Sequence, residues 1–317
     1  MDNQLIRVGI STCLLGQRVR YDGGHKRDPF LVDTLGGYLE YVPVCPEVEC
    51  GFPIPRESFR LVGDPEAPRL MTVKTKIDYT DRMETWAQNR VQELEKENLC
   101  GFIFKSKSPS SGMERVKVYT ESGMPSKNGV GVFARIFMEH FPRVPTEEEG
   151  RLHDPVLREN FIERLFALKR WRDCLDAGKT RGNLVDYHTR HKLQILSHSS
   201  KHYRSMGRLV ATSAEYSLEE VYDTYEEILV GTLKLKTTLK KNINVLMHIM
   251  GYFKTLISSD EKTEILEIID QYRNGFVPLI VPITLFNHYV RKYDQPYLSV
   301  QTYLNPHPIA LKLRNHA

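Results

Sequence analysis

Apolar residues in the first 150 positions fall into short runs set between polar, helix-patterned stretches. The runs "IRVGIS" (6–11), "YVPV" (41–44) and "GFIF" (101–104) predict buried strands. Between them, "DPFLVDTLGGYLE" (28–40) and "DRMETWAQNRVQELEKEN" (81–98) predict helices, and "GVGVFARIFMEHF" (129–141) predicts a closing one. Strands alternating with helices imply an α/β domain with a mainly parallel, Rossmann-like sheet. The segment "PRVPTEEEGRLHDP" (142–155) is polar and proline-rich, which marks a linker. Beyond it the pattern is helical almost throughout. Helices are predicted within 157–176, 183–211, 217–257 and 259–275, and a proline-interrupted one over 276–293. Ser217 followed by Glu220 reads as a capped start, and Gly275 as a stop. The domains expected are 1–145, a linker at 146–158, and an all-α domain over 159–317.

At 317 residues the chain is long enough for two independent cores. The start carries no basic segment followed by a long apolar one, so no secretory signal is expected, and no run reaches membrane-spanning length. The expectation is a cytoplasmic protein with no membrane partner. Five cysteines, an odd number, argue against a disulfide framework in a reducing compartment. Charge divides unevenly. Residues 1–150 hold 20 Lys and Arg against 22 Asp and Glu, net −2; residues 151–317 hold 24 against 18, net +6.

The chemistry gathers where the predicted strands end. The first runs into "STCLLGQRVRYDGG", with Cys13 just past it. The second runs into "CPEVEC", with Cys45, Glu47 and Cys50, and the third into "KSKSPSSG", with Ser110 and Ser111. Open parallel sheets bind ligands outside the carboxyl ends of their strands. Each feature alone reads as packing or turn chemistry. Together, thiols on glycine- and proline-rich loops exceed what apolar packing asks for. A structural zinc site would show close Cys or Cys/His pairs, and here His25 is the sole nearby histidine. The paired motifs of zinc nucleobase deaminases are absent. A C-x4-C pair with a distant third cysteine suits a [4Fe–4S] cluster with one iron left open. Cys100 opens a strand and Cys174 lies mid-helix, so both are expected to be core residues.

"STCLLGQRVRYDGG", "PVCPEVECGFPIPRE" and "KSKSPSSG" resemble the thiouracil desulfidase family over residues 5–140. "HKLQILSHSSKHYRSMGRLVA", "NVLMHIMGYF" and "YLNPHP" resemble the YbgA-type helical domain over 160–312. The fused arrangement resembles bacterial desulfidases that convert 4-thiouridine in tRNA to uridine. The resemblance implies an enzyme with a [4Fe–4S] cluster held by three cysteines. It also implies a substrate thiocarbonyl polarised at the open iron, and sulfide release without net redox change. The family's third motif ends in a cysteine ligand where this chain has Ser111, and the second has glycine where this chain has Cys50. The ligands expected are therefore Cys13, Cys45 and Cys50, with Ser111 as the alternative to Cys50. Glu47 is expected as general acid/base and Ser110 as an assisting hydrogen-bonding residue.

In the second half, residues 181–208 hold six basic residues against Asp186, with histidines and tyrosines interleaved. Basic residues beside aromatic and hydroxyl groups hold RNA phosphates and unstacked bases, and they also make ordinary solvated helix faces. Arg190, Lys192, Lys201 and Arg204 are the expected contacts to thiolated tRNA, with the run 234–241 as a second basic candidate. A desulfidase of free thiouracil or 4-thiouridine nucleotides, and a non-catalytic RNA-binding protein carrying the cluster, are the alternatives.

Overall fold

The computed structural model describes residues 5–120 and 122–315; the chain-end limits of the two expected domains lie outside these. The chain divides into two compact units, residues 1–157 and 158–317.

In the first unit, strands β1 (Ile6–Ser11), β2 (Leu39–Val44), β5 (Gly101–Phe104) and β8 (Thr146–Glu148) form a sheet in the order β2-β1-β5-β8, every pair parallel. β5 is buried at all four positions, as a strand covered on both faces must be. Helices α2 (Thr80–Glu95) and α3 (Val132–His140) pack on it through Ala87, Val91, Leu94, Phe133 and Phe137. Phe102 and Phe104 stack at 4.3 Å between ring centroids, and Phe102 lies 4.6 Å from Phe137. Fully burying such rings stabilises the unit by roughly 1.5–3 kcal/mol each.

Two sequence expectations change here. The helix predicted over 28–40 is a short irregular turn at Phe30–Gly37, because Gly36 and Gly37 weaken it, and Leu39 and Glu40 already belong to β2. The segment expected as a linker supplies β8. Glu147 and Glu148 are buried there, and their carboxylates accept from Arg151 at 2.6 Å and from the Met113 backbone N–H at 2.7 Å. A row of acids reads as solvated until those partners are known.

A second sheet has the order β4-β3-β6-β7, formed by β3 (Phe59–Val62), β4 (Arg69–Thr72), β6 (Val116–Tyr119) and β7 (Pro125–Gly129). It is mixed: β3–β6 is parallel and the outer pairs are antiparallel. Its strands are short and half exposed, so they leave no uninterrupted apolar run to read.

The second unit is helical: α4 (Pro155–Asp176), α5 (Arg181–His198), α6 (Ser200–Ala211), α7 (Leu218–Lys234), α8 (Leu239–Gly251), α9 (Ser259–Arg273), α10 (Ile280–Lys292) and the short α11 (Pro296–Ser299). The long helical stretches are cut where a new N-cap intervenes. Ser199 accepts from the His202 N–H and Thr238 from the Lys241 N–H. Ser217 and Glu220 form a reciprocal capping box, and Gly275 takes φ +74° at the end of α9. Pro282 is tolerated in the first turn of α10, where its missing N–H would have no partner within the helix. Among the described residues no helix is long and apolar enough to cross a membrane.

Gly9 lies in β1, and a Cβ there would fall 2.2 Å from a ring carbon of Phe102. Gly9→Ala is expected to destabilise the first unit by about 1–3 kcal/mol through overpacking. The check is the midpoint of urea unfolding, which must fall.

Candidate active site

The parallel register aligns three strand ends. Ser11 pairs with Val44 and Ile10 with Ile103, so β1, β2 and β5 deliver their following loops to one edge. The Lys105 backbone N–H donates to Ser11 Oγ at 2.9 Å, fastening the third loop to the first.

Past β1 the chain makes a one-turn 3₁₀ helix, Thr12–Leu15, closed by Gly16 at φ +93°, and this turn carries Cys13. Past β2, Cys45 caps the short helix α1 (Pro46–Glu49), with Pro46 at its first position. Glu49 Oε1 accepts the Cys45 N–H at 2.7 Å and Glu49 is held by Arg90 at 2.9 Å, which sets the thiol's backbone. Past β5, Ser108 Oγ accepts the backbone N–H of Ser110 and of Ser111 at 3.3 and 3.1 Å, curling the serine loop. A Cβ on Gly131, at the start of α3, would lie 2.6 Å from the Ser110 backbone, so only glycine lets the helix approach this loop.

Cys13, Cys45, Glu47, Ser108 and Ser111 line one cavity of about 570 Å³, together with Arg20, Lys26, Arg56, Lys105 and Lys107. Glu47 is its centre. Ser110 donates its hydroxyl to Glu47 Oε1 at 2.6 Å; Arg56 approaches Oε2 at 3.6 Å, as does the Cys45 thiol. Arg56 is itself buried, donates to the Val19 carbonyl at 3.0 Å, and leaves its buried Nε with no partner. Lys105 pairs with Glu149.

The thiols are protonated when no metal is present. Burial pushes Cys13 up to about 11, with Glu47 adding to it and Lys105 opposing; burial and then Glu47 push Cys45 up to about 12. Burial also raises Cys50, opposed by Arg82, with Glu47 contributing upward. All three thiols therefore feel the same carboxylate.

Of the residues expected from sequence, the structure brings Cys13, Cys45, Glu47 and Ser110 together. Ser110 is wholly buried and off the cavity wall, and its hydroxyl reaches the cavity through Glu47. Cys50 lies apart from these residues. Its thiol donates to the Arg82 carbonyl at 3.6 Å, within an apolar cluster of Phe52, Leu61, Leu70 and Met83. Ser111, not Cys50, is on the wall. Among the described residues no three Cys, His, Asp or Glu side chains assemble as a metal site. Cys100 is buried; Cys174 is half-buried with its thiol on the Asn183 carbonyl at 3.6 Å.

Ser108 and the Glu49–Arg90 pair, which hold the serine loop and the start of α1, are residues that sequence reading did not single out. Arg56 finds its carboxylate partner in Glu47, nine positions back. In the second unit, Arg190 pairs with Asp186 at 2.7 Å and Lys192 sits over the Tyr297 ring at 4.9 Å, while Lys201 and Arg204 are exposed on α6. His188, His191 and His198 are buried, so they belong to the core of α5 and not to a surface.

Residues 8–149 match the family model described as 2-thiouracil desulfurase, and residues 192–308 match that of a protein of unknown function, DUF1722. A curated Escherichia coli K12 protein, the uncharacterized protein YbgA, is 37% identical over 158 residues, 50% of this chain and 94% of that protein. A solved structure of a [4Fe-4S]-dependent thiouracil desulfidase, TudS, is 26% identical with a TM-score of 0.39, covering 47% of this chain and 94% of that one.

Ser110→Ala removes a buried donor from Glu47 Oε1. It is expected to cost about 1–3 kcal/mol in urea unfolding of the metal-free protein. An unchanged unfolding midpoint would mean that the Ser110–Glu47 bond does not hold the two loops together.

Proposed function

Since the chain belongs to the family of YbgA-type proteins and carries a 2-thiouracil desulfurase domain ahead of its DUF1722 region, we propose that it is an iron–sulfur-dependent, non-redox desulfidase converting 4-thiouridine in tRNA to uridine. The reaction exchanges a thiocarbonyl and water for a carbonyl and hydrogen sulfide, so atoms balance with no oxidant or reductant. The observation that carries the reading is the pair of thiols, Cys13 and Cys45, facing one cavity with the pinned carboxylate of Glu47.

The donor chemistry fits an iron–sulfur group. Thiolates are the ligands such clusters take, and binding would draw protons from thiols that burial otherwise keeps neutral. Cys13 and Cys45 would hold it. The third donor proposed is Cys50, at the opposite end of α1 from Cys45, its thiol on the Arg82 carbonyl through a weak hydrogen bond. When bound, a [4Fe–4S] cluster with one open iron supplies a Lewis acid for the thiocarbonyl sulfur.

The chain's own residues do the rest. Glu47 Oε1 is fixed by the Ser110 hydroxyl, which leaves Oε2 to take a proton from water attacking C4 and return it to the departing sulfur. Arg56, with its unpartnered Nε, stabilises that carboxylate while ionised. Lys201 and Arg204, exposed on α6, are proposed as phosphate contacts beside Arg190 and Lys192.

Cys13→Ala and Cys45→Ala are each expected to lose iron after anaerobic reconstitution, measured by iron and sulfide content, whereas Cys100→Ala and Cys174→Ala keep it. Retention of a full cluster by Cys50→Ala together with its loss in Ser111→Ala would assign the third position to the serine. Glu47→Gln is expected to keep the cluster and lose about 10²-fold or more in turnover; wild-type rates would remove Glu47 from the proton transfer.

The substrate is tested by anaerobic sulfide release from thiolated tRNA beside free 4-thiouridine monophosphate and thiouracil. Preference for a free form would favour the small-molecule reading that the 2-thiouracil desulfurase match supports. Reversing charge at Arg190, Lys192, Lys201 and Arg204 is expected to weaken tRNA binding and flatten its salt dependence. Iron content must stay the same.

A further inference from the structure

A second cavity, of about 950 Å³, adjoins the first. The two share Phe59, Ser106, Lys107 and Pro109 in their walls. It runs over the second sheet, and Arg60, Lys117 and Lys127 line it along with the Tyr119 ring. Its acids are engaged within the fold. Glu114 binds Arg151 at 2.6 Å, and Glu148 accepts the Met113 N–H at 2.7 Å. Among the described residues none of Arg60, Lys107, Lys117 and Lys127 pairs with a carboxylate. Arg60 lies 5.3 Å over the Tyr119 ring, and its buried Nε has no hydrogen-bond partner.

A solvated lysine face would account for single cations, but not for their arrangement. Lys117 on β6 is the direct cross-strand partner of Lys127 on β7. Like charges placed opposite each other weaken an antiparallel pair, where an acid on either strand would strengthen it. Anionic groups bound at the two lysines, one at each, remove the repulsion. Phe59 and Tyr119 add ring surface to the same groove, and alternating cations and rings are how single-stranded nucleic acid is held.

We infer that this groove carries the phosphodiester backbone of a single-stranded RNA stretch flanking the nucleotide that enters the cysteine-lined cavity. The inference rests on the reading of the chain as a desulfidase of tRNA. Lys107 stands at the junction, where the strand turns from the groove into the reaction cavity. Lys117 and Lys127 meet successive phosphates, and Tyr119, backed by Arg60, offers a stacking face to a neighbouring base.

The test uses the full chain and a fluorescent single-stranded RNA of about 12 nucleotides carrying one 4-thiouridine. Binding is read by anisotropy across a salt series for the wild type, K117E/K127E, and K254E/K262E, which makes the same charge change on exposed lysines of the second unit. K117E/K127E is expected to bind at least about 10-fold more weakly, with a salt slope shallower by about 1.4 for two lost single-strand contacts. Its iron content and its sulfide release from free 4-thiouridine monophosphate should match the wild type. Unchanged affinity and slope overturn the groove, as does an equal loss in K254E/K262E, which would mark diffuse attraction. Binding is measured without turnover, so the two readings fail separately. A wild type that releases no sulfide from any thiolated substrate sinks the desulfidase reading, while a groove-specific loss of RNA binding still stands.

Discussion

The hydrogen bond from Ser110 to Glu47 joins two loops that lie 63 residues apart, and the candidate site depends on it. Neither loop has regular structure of its own beyond the single turn of α1. Each is placed by the strand before it, through the parallel register of β1, β2 and β5. What the register leaves undetermined, the carboxylate settles. It accepts from a wholly buried hydroxyl, lies beside a buried guanidinium and contacts the Cys45 thiol. A charged group so placed is expensive to bury unless it is bonded on several sides, and these partners meet that condition.

The same carboxylate sets the electrostatics of the thiols. Burial alone raises Cys13 and Cys45, and the negative charge of Glu47 raises them further. In a site built for a reactive free thiolate, cations or a helix N-terminus outweigh burial; here Lys105 beside Cys13 and the start of α1 at Cys45 do not. Buried, neutral thiols suit residues that become thiolates only when a positive group replaces their protons.

Much of this was legible in the chain. The two central strands, β1 and β5, were readable because burial on both faces demands uninterrupted apolar runs, and "IRVGIS" and "GFIF" have them. The convergence of Cys13, Cys45, Glu47 and Ser110 followed from where those runs stop. β8 was hidden because its acids are paired to backbone N–H groups and to Arg151, and only tertiary structure reveals that pairing. The second sheet was hidden because "FRLV" and "VKVY" alternate over too few residues to stand out. Cys50 lay near the right place in sequence, but the direction of its thiol depends on Arg82 in α2, 32 positions away. The histidines of α5 looked like surface chemistry from composition, and burial assigns three of them to packing.

The sign of the local charge bears on what the cavity receives. Residues 1–150 carry a net charge of −2, yet five cations line the cysteine-bearing cavity against the one carboxylate of Glu47. Lys105 is balanced by Glu149, Arg56 by Glu47 and Arg20 by Asp22 at 3.5 Å, which among the described residues leaves Lys26 and Lys107 to set the field at the mouth. A clustered positive mouth on a slightly acidic unit is not a by-product of composition. A neutral thiolated base would gain nothing from those side chains, whereas a phosphorylated one would be drawn in and oriented by them. The charge therefore supports the proposed reading of a substrate that brings phosphate with its base, as a nucleotide within RNA does on both sides.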